Sequence, residues 1–186
     1  MGYKARVLVT AGGGGIGQSI IKAIRLANVR YGRDYQILTT DVKPLSAGLF
    51  RVDKGFLVPP ASSPRYIDTL IEIAKNEDVD MVIPGSDPEL PVISKNKDIF
   101  TENGIIPLVG DPEGIKIGYD KWETYLFLKH NGFEYPETSL PENVDKIIDK
   151  VGFPLLIKPR YGSGSVGINV AHNEEELKFY IQKVDE

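Results

Sequence analysis

Residues 5–20 read ARVLVTAGGGGIGQSI. A β-favouring run at 5–10 ends in four consecutive glycines, and a helical pattern then extends from about 16 to 28. A strand that breaks into glycine and restarts as a helix is the first half of a βαβ unit. Working outward, YQILTT at 35–40 reads as a second strand closed by Asp41, and 55–58 as a short third. Tyr66, Ile67, Leu70, Ile71 and Ala74 recur at helical spacing, so 64–76 is an amphipathic helix. Strands follow at 81–83, stopped by Pro84 and Gly85, and at 105–109. The alternation predicts an α/β fold with a Rossmann-like open parallel sheet over residues 1–118.

The pattern changes near Gly118. Residues 120–131 are expected to be helical, with Asp120 and Glu123 spaced as a capping box and Gly132 ending the helix. A short strand at 135–138, a helix at 141–151 and the apolar strand 153–157 come next. Glycine-rich sequence leads to a strand at 167–171, and Asn173 with Glu176 caps a last helix. The short loop between the last two strands predicts an antiparallel pair. Residues 119–186 thus read as a small, incomplete α+β unit with too few strands for a sheet of its own.

Composition narrows the function. The 186 residues are 41% hydrophobic and 26% charged, ordinary for a globular protein and unlike disordered, collagenous or coiled-coil chains. With 22 Lys+Arg against 26 Asp+Glu, the net charge of −4 argues against gripping a nucleic-acid backbone. There is no cysteine, and His130 and His172 are the only histidines, so thiolate chemistry and zinc–sulfur sites are excluded. Any metal would be a hard cation on oxygen ligands. No apolar run reaches the roughly 18 residues of a membrane helix. The N-terminus lacks signal-peptide architecture, and the chain reads as cytoplasmic.

Two glycine clusters carry the chemistry. In the first, Gly12, Gly14 and Gly17 fit G-x-G-x-x-G between a strand and a helix, with Asp41 at the end of the next strand. This spacing suits a dinucleotide, its pyrophosphate on the helix N-terminus and its ribose on the acidic residue. It equally suits a tight turn made glycine-rich for packing. Tyr125 and Lys129 stand four apart, as in short-chain dehydrogenases, but no serine lies a dozen residues upstream, where Pro112 and Glu113 stand. An NAD(P)-binding oxidoreductase or epimerase using Gly12–Gly17 and Asp41 therefore stays open at this point.

The second cluster lies in GFPLLIKPRYGSGSVGI, residues 152–168. An apolar strand delivers Lys158, and a loop follows with Gly162, Ser163, Gly164, Ser165 and Gly167. Such a loop can turn backbone N–H groups towards phosphate oxygens, while the strand lysine supplies a fixed charge. No Gly-Lys-Ser/Thr follows, so it is not a Walker A loop. The alternative is a long hairpin turn beside a solvated lysine.

Taken in order, several segments resemble the ATP-grasp superfamily, most of all its carbamoyl-phosphate-synthase large-subunit-like branch. They are Asp120-Lys121 at a helix start, Gly132 to Thr138, Gly152-Phe153-Pro154, Ile157-Lys158-Pro159 and Gly162 to Gly167. The run Asp80 to Leu90, DMVIPGSDPEL, is similar to a segment of the domain that precedes the ATP-grasp fold in such proteins. The resemblance covers essentially the whole chain. It implies that 1–118 is a pre-ATP-grasp domain and 119–186 the first ATP-grasp subdomain.

By the same resemblance, Lys121 and Lys158 would reach the nucleotide, and Gly162, Ser163, Gly164, Ser165 and Gly167 would form the flap over its triphosphate. Gly13, Gly14, Gly15, Asp41, Asp87 and Glu89 would lie on the acceptor-substrate side. Ser86 and Glu89, with Pro88 in the first turn, are also spaced as a capping box. The implied activity is ATP-dependent ligation, in which a carboxylate becomes an acyl phosphate that an amine attacks. The implied small molecules are ATP with Mg²⁺, a carboxylate and an amine; no nucleic acid or membrane is implied. The resemblance places the metal ligands in a second lobe that these residues do not include. This chain alone is therefore expected to be inactive, a truncated or split ligase that acts as a homo-oligomer or with a complementary second-lobe chain. A non-catalytic regulatory half is the other possibility.

Overall fold

Strand β1 (Lys4–Val9) alternates residues between two apolar environments, which is what a strand covered on both faces requires. In the computed structural model, which describes residues 4–162 and 164–185, Val7 and Val9 pack with Ile37 and with Ile21 of helix α1 (Gly15–Tyr31). On the opposite face Leu8 joins Leu38, Val82 and the apolar side of helix α2 (Tyr66–Asn76), namely Tyr66, Ile67, Leu70 and Ala74. Ile93 of α3 (Glu89–Lys95) and Phe100 of α4 (Lys97–Glu102) complete that second, larger core.

The remaining strands are β2 (Asp34–Asp41), β3 (Lys54–Leu57), β4 (Met81–Ile83) and β5 (Ile106–Pro107). All pair in parallel, in the order β3-β2-β1-β4-β5. The chain moves outward from β1 in one direction, then returns to β4 on its other side. The carboxyl ends of β1 and β4 therefore flank the crevice where the strand order reverses, the usual ligand position in open α/β sheets. The glycine loop after β1 and the Pro84–Glu89 turn after β4 both open there.

The chain forms two compact units, divided between Ile115 and Lys116 within helix α5 (Pro112–Tyr119). The second holds α6 (Lys121–His130), α7 (Val144–Val151), β6 (Leu155–Ile157), β7 (Asn169–Ala171) and α8 (Glu174–Asp185). Strands β6 and β7 are antiparallel, Leu156 facing Val170. Helix α8 packs on both strands, and its Leu177 and Ala171 of β7 are buried. Leu156 and Val170 themselves stay exposed. Among the described residues no helix is long and apolar enough to cross a membrane.

Several expected elements differ. Residues 135–138 form no strand: Pro136 has no N–H to donate, and the segment is fixed by side chains instead. Tyr135 meets Tyr125 edge-on at 5.5 Å, and Glu137 pairs with Lys150. The strand expected at 105–109 shrinks to Ile106–Pro107, again beside a proline. The helix expected from 141 begins as a 3₁₀ turn, Pro141–Asn143. Asn173 does cap α8, its Oδ1 accepting the Glu176 N–H at 2.9 Å, while Glu176 reaches back past the cap to accept the His172 N–H. Asp120 caps α6 by accepting the Trp122 and Glu123 N–H groups, but Glu123 does not reciprocate. It pairs with Lys116 at 3.1 Å.

Candidate functional site

The first glycine loop is built for close approach. A Cβ on Gly12 would fall 2.0 Å from the Thr39 hydroxyl, and one on Gly17 would fall 2.4 Å from the Ala11 carbonyl. On Gly13 it would meet the Ser46 hydroxyl at 2.0 Å. Gly14 and Gly15 are exposed at the start of α1, where a Cβ on Gly15 meets nothing within 4 Å. Asp41, at the end of β2, is 8% exposed and already engaged. It accepts the Gly13 N–H at 2.9 Å, the Lys43 N–H at 3.0 Å and the Ser46 hydroxyl at 2.7 Å. Burial alone would raise its pKa, but these donors outweigh burial and hold it below the ordinary 3.8. The carboxylate that a ribose would use thus anchors the loop to the turn after β2.

Glu89 is likewise drawn inward. At 6% exposure it accepts three hydroxyls: Thr10 at 2.6 Å, Tyr66 at 2.6 Å and Ser86 at 2.9 Å. Thr10 in turn accepts the Gly85 N–H at 3.0 Å. The ends of β1 and β4, the start of α2 and the start of α3 are tied at one carboxylate. Burial, then the charge of Glu89, raises the Tyr66 hydroxyl well above its usual pKa. The expected Ser86–Glu89 capping box is not formed, because Ser86 donates its hydroxyl to Glu89 and no side chain caps α3. Asp87, half-buried beside it, has no side-chain partner among the described residues.

The second cluster is open. Gly162, Gly164, Ser165 and Gly167 are all exposed and all have positive φ, at 109°, 67°, 59° and 76°. Cβ atoms on Gly162 and Gly164 would meet nothing within 4 Å, so glycine serves the backbone conformation there and not close packing. Ser165 is a non-glycine residue in the left-handed region, a feature that concentrates at ligand-binding turns. Ser163 lies outside the described residues.

Lys121 and Lys158 line one cavity of about 680 Å³, walled largely by apolar side chains that include Trp122, Ile147, Ile157 and Leu177. The Lys121 ammonium donates to the Gly162 carbonyl at 2.9 Å. Lys158 is exposed, and its ammonium has no partner among the described residues. The neighbouring cations are neutralised: Lys150 by Glu137, Lys116 by Glu123 and Arg160 by Asp120. Helix α6 therefore delivers one lysine, strand β6 the other, and both enter the same space.

Sequence reasoning missed Arg160, Tyr161, Thr10 and Tyr66. The signal for Arg160 was present, since it is the only arginine after Arg65 and stands two residues from Lys158. The Tyr125–Lys129 pair does meet, at 3.1 Å, but Tyr125 is buried among Trp122 and Tyr135 in the second unit. Among the described residues no three of His, Cys, Asp or Glu are placed to hold a metal ion.

Residues 7–108 match the family described as PylC-like, N-terminal domain, and 119–184 match the ATP-grasp domain. The chain is 29% identical over 125 residues to the carbamoyl phosphate synthase large chain of Helicobacter pylori, covering 65% of this chain and 11% of that one. It is 36% identical over 80 residues to the D-alanine–D-alanine ligase of Petrotoga mobilis, covering 43% and 26%. Its fold is similar to the biotin carboxylase domain of Hydrogenobacter thermophilus 2-oxoglutarate carboxylase, solved with MgADP and bicarbonate (TM-score 0.71, 22% identity, 96% and 40% covered). It is also similar to Staphylococcus aureus N5-carboxyaminoimidazole synthetase complexed with ADP (TM-score 0.69, 15% identity, 100% and 46% covered). The chain thus spans less than half the length of each.

Proposed function

The chain belongs to the ATP-grasp family, with a PylC-like N-terminal domain ahead of its ATP-grasp residues, and on that premise we propose that it is the N-terminal part of an ATP-dependent carboxylate ligase. The observation that carries this reading is the pair Lys121 and Lys158, two cations lining one cavity beside the open glycine loop. A triphosphate needs fixed positive charge and backbone donors, and this unit offers both. Lys158, with no carboxylate partner among the described residues, is the readier phosphate contact. Lys121 would exchange the Gly162 carbonyl for a phosphate oxygen, a stronger acceptor. Gly162, Gly164, Ser165 and Gly167 would present their N–H groups to the same phosphates.

In the intact ligase a carboxylate oxygen attacks the γ-phosphorus, the bond to ADP breaks, and an acyl phosphate results. An amine then attacks the acyl carbon and phosphate leaves. The acceptor side would be the crevice at the ends of β1 and β4, lined by Gly13 and Gly14, whose N–H groups are already held by Asp41 and the Ala11 carbonyl, with the Gly15 N–H as a backbone donor and Asp87 as a carboxylate without a side-chain partner among the described residues. Asp41 and Glu89 would shape that crevice through the hydrogen bonds they already hold. Magnesium would arrive on the nucleotide, its protein ligands expected in the second lobe. A second lobe, in the same polypeptide or a partner chain, would close the site.

Calorimetric titration with MgATP, and with NAD⁺ and NADP⁺ in parallel, tests the reading. Saturable MgATP binding is expected, weakened at least about tenfold by Lys158→Ala, the loss of a charge-assisted contact. Neither dinucleotide should bind. A Lys158→Ala variant with unchanged MgATP affinity would remove the site assignment. Dinucleotide binding abolished by Asp41→Ala would instead support an oxidoreductase.

A further inference from the structure

Arginine has the side chain whose planar fork best matches a phosphate, and Arg160 stands at the entrance to the glycine loop, where such a contact would be wanted. Its fork is occupied. Nε lies 2.8 and 2.9 Å from the two Asp120 oxygens, and Nη2 lies 2.7 Å from Oδ2 and 3.9 Å from Glu123. Asp120 is buried, and it also accepts the Tyr161 hydroxyl at 3.0 Å. The Arg160 carbonyl accepts the Lys121 N–H at 3.2 Å. One residue thus grips α6 twice, through its main chain at the first helical residue and through its side chain at the helix cap.

The charges sort accordingly. Asp120 and Glu123 balance Arg160 and Lys116, so the clamp is neutral as a whole. Among the described residues, Lys121 and Lys158 have no carboxylate partner on the cavity they share with Arg160. The Arg160 guanidinium, ahead of the opposing effect of burial, lowers the Asp120 pKa to about 2, with Tyr161 adding to it.

We propose that Arg160 is a positioning residue and not a phosphate ligand: with Asp120 it clamps the start of α6 to the end of β6 and sets the spacing of the Lys121 and Lys158 ammonium groups. The proposal rests on the nucleotide reading of those two lysines. Removing either clamp partner would free α6 to shift, and a phosphate held by two lysines is sensitive to displacements of about 1 Å.

The test is a double-mutant cycle on MgATP affinity, using the whole chain with Arg160→Lys, Asp120→Asn and both together, at a temperature where far-UV circular dichroism shows each folded. Each single change should weaken binding about tenfold, and the pair no more than the worse single, because both break one clamp. Amide exchange at Lys121 should accelerate in all three. Tyr161→Phe removes one hydrogen bond to Asp120; it should weaken binding about two- to threefold, and it substitutes if the stronger variants unfold. The proposal is overturned if Asp120→Asn leaves affinity unchanged or improves it while Arg160→Lys weakens it, since the released guanidinium would then be a ligand. Multiplying losses, or faster exchange with intact affinity, would overturn it too. Lys158→Ala separates the failures. If it weakens MgATP binding while the clamp variants miss expectation, only the clamp is wrong; if it does not, the nucleotide reading and this proposal fall together.

Discussion

The two glycine clusters look alike on paper and differ in kind. In the first, glycine is required by what lies beside it: Thr39, Ser46 and the Ala11 carbonyl occupy the volume a side chain would need. In the second, around Gly162 and Gly164, nothing lies beside it, and glycine is required by the left-handed backbone. The first loop is closed by a buried carboxylate, Asp41, that binds its N–H. The second is left open near Lys158, whose ammonium has no partner among the described residues. Glycine density alone therefore does not identify a phosphate loop; the proposal for the second cluster rests on its unoccupied surroundings and a nearby cation.

Substitutions can break this contrast. The largest effect is expected from Gly17→Ala, whose Cβ would fall 2.4 Å from a main-chain carbonyl that cannot yield as a side chain could. A loss of about 3 kcal/mol in the first unit's stability is expected, read from its chemical denaturation midpoint. Next in size is the acid dependence of the second unit. The Asp120 pKa of about 2 lies below its unfolded value near 3.8, so the stabilisation is complete above pH 4–5 and disappears as pH falls towards 2. At most about 2 kcal/mol should be lost over that window. Asp120→Asn, lacking the titrating group, should flatten that profile in a denaturation series.

Smallest are the open glycines, where the two clusters separate most cleanly. Gly15→Ala, with nothing within 4 Å in the first turn of α1, should be neutral or stabilising by about 0.5 kcal/mol. Gly164→Ala, equally uncrowded but at φ +67°, should cost about 1 kcal/mol locally. It should leave the second unit's thermal transition nearly in place while weakening MgATP. Equal effects at both positions would erase the distinction between space and backbone conformation.

Much of the fold was legible. The alternation of 5–10 with the 3.6-residue periodicity of 66–74 carries the parallel sheet and α2, and the antiparallel β6–β7 pair follows from a short glycine-rich connection. The strand expected at 135–138 failed because Tyr135 and Thr138 have strand propensity while Pro136 interrupts the ladder. Lys158 was legible as a site candidate because an apolar strand runs straight into it, whereas Lys121 was singled out only by the resemblance to ATP-grasp proteins. Glu89 reads as an acceptor-side residue by resemblance and as half of a capping box by its spacing from Ser86, and nothing local announces Thr10 and Tyr66.

What the sequence by itself determined is whatever depends on near neighbours: periodicity, the caps at Asp120 and Asn173, and the order of strand, glycine and helix. Tertiary structure decided what each charged group is for. Thr10 and Glu89 are 79 residues apart and Asp120 and Arg160 are 40 apart, yet each pair ends within 3 Å. A carboxylate buried on folding must find donors wherever the topology brings them. That is why Asp41, Glu89 and Asp120 turned inward to hold the scaffold, and why Lys158, without a partner among the described residues, is the group we propose meets a ligand.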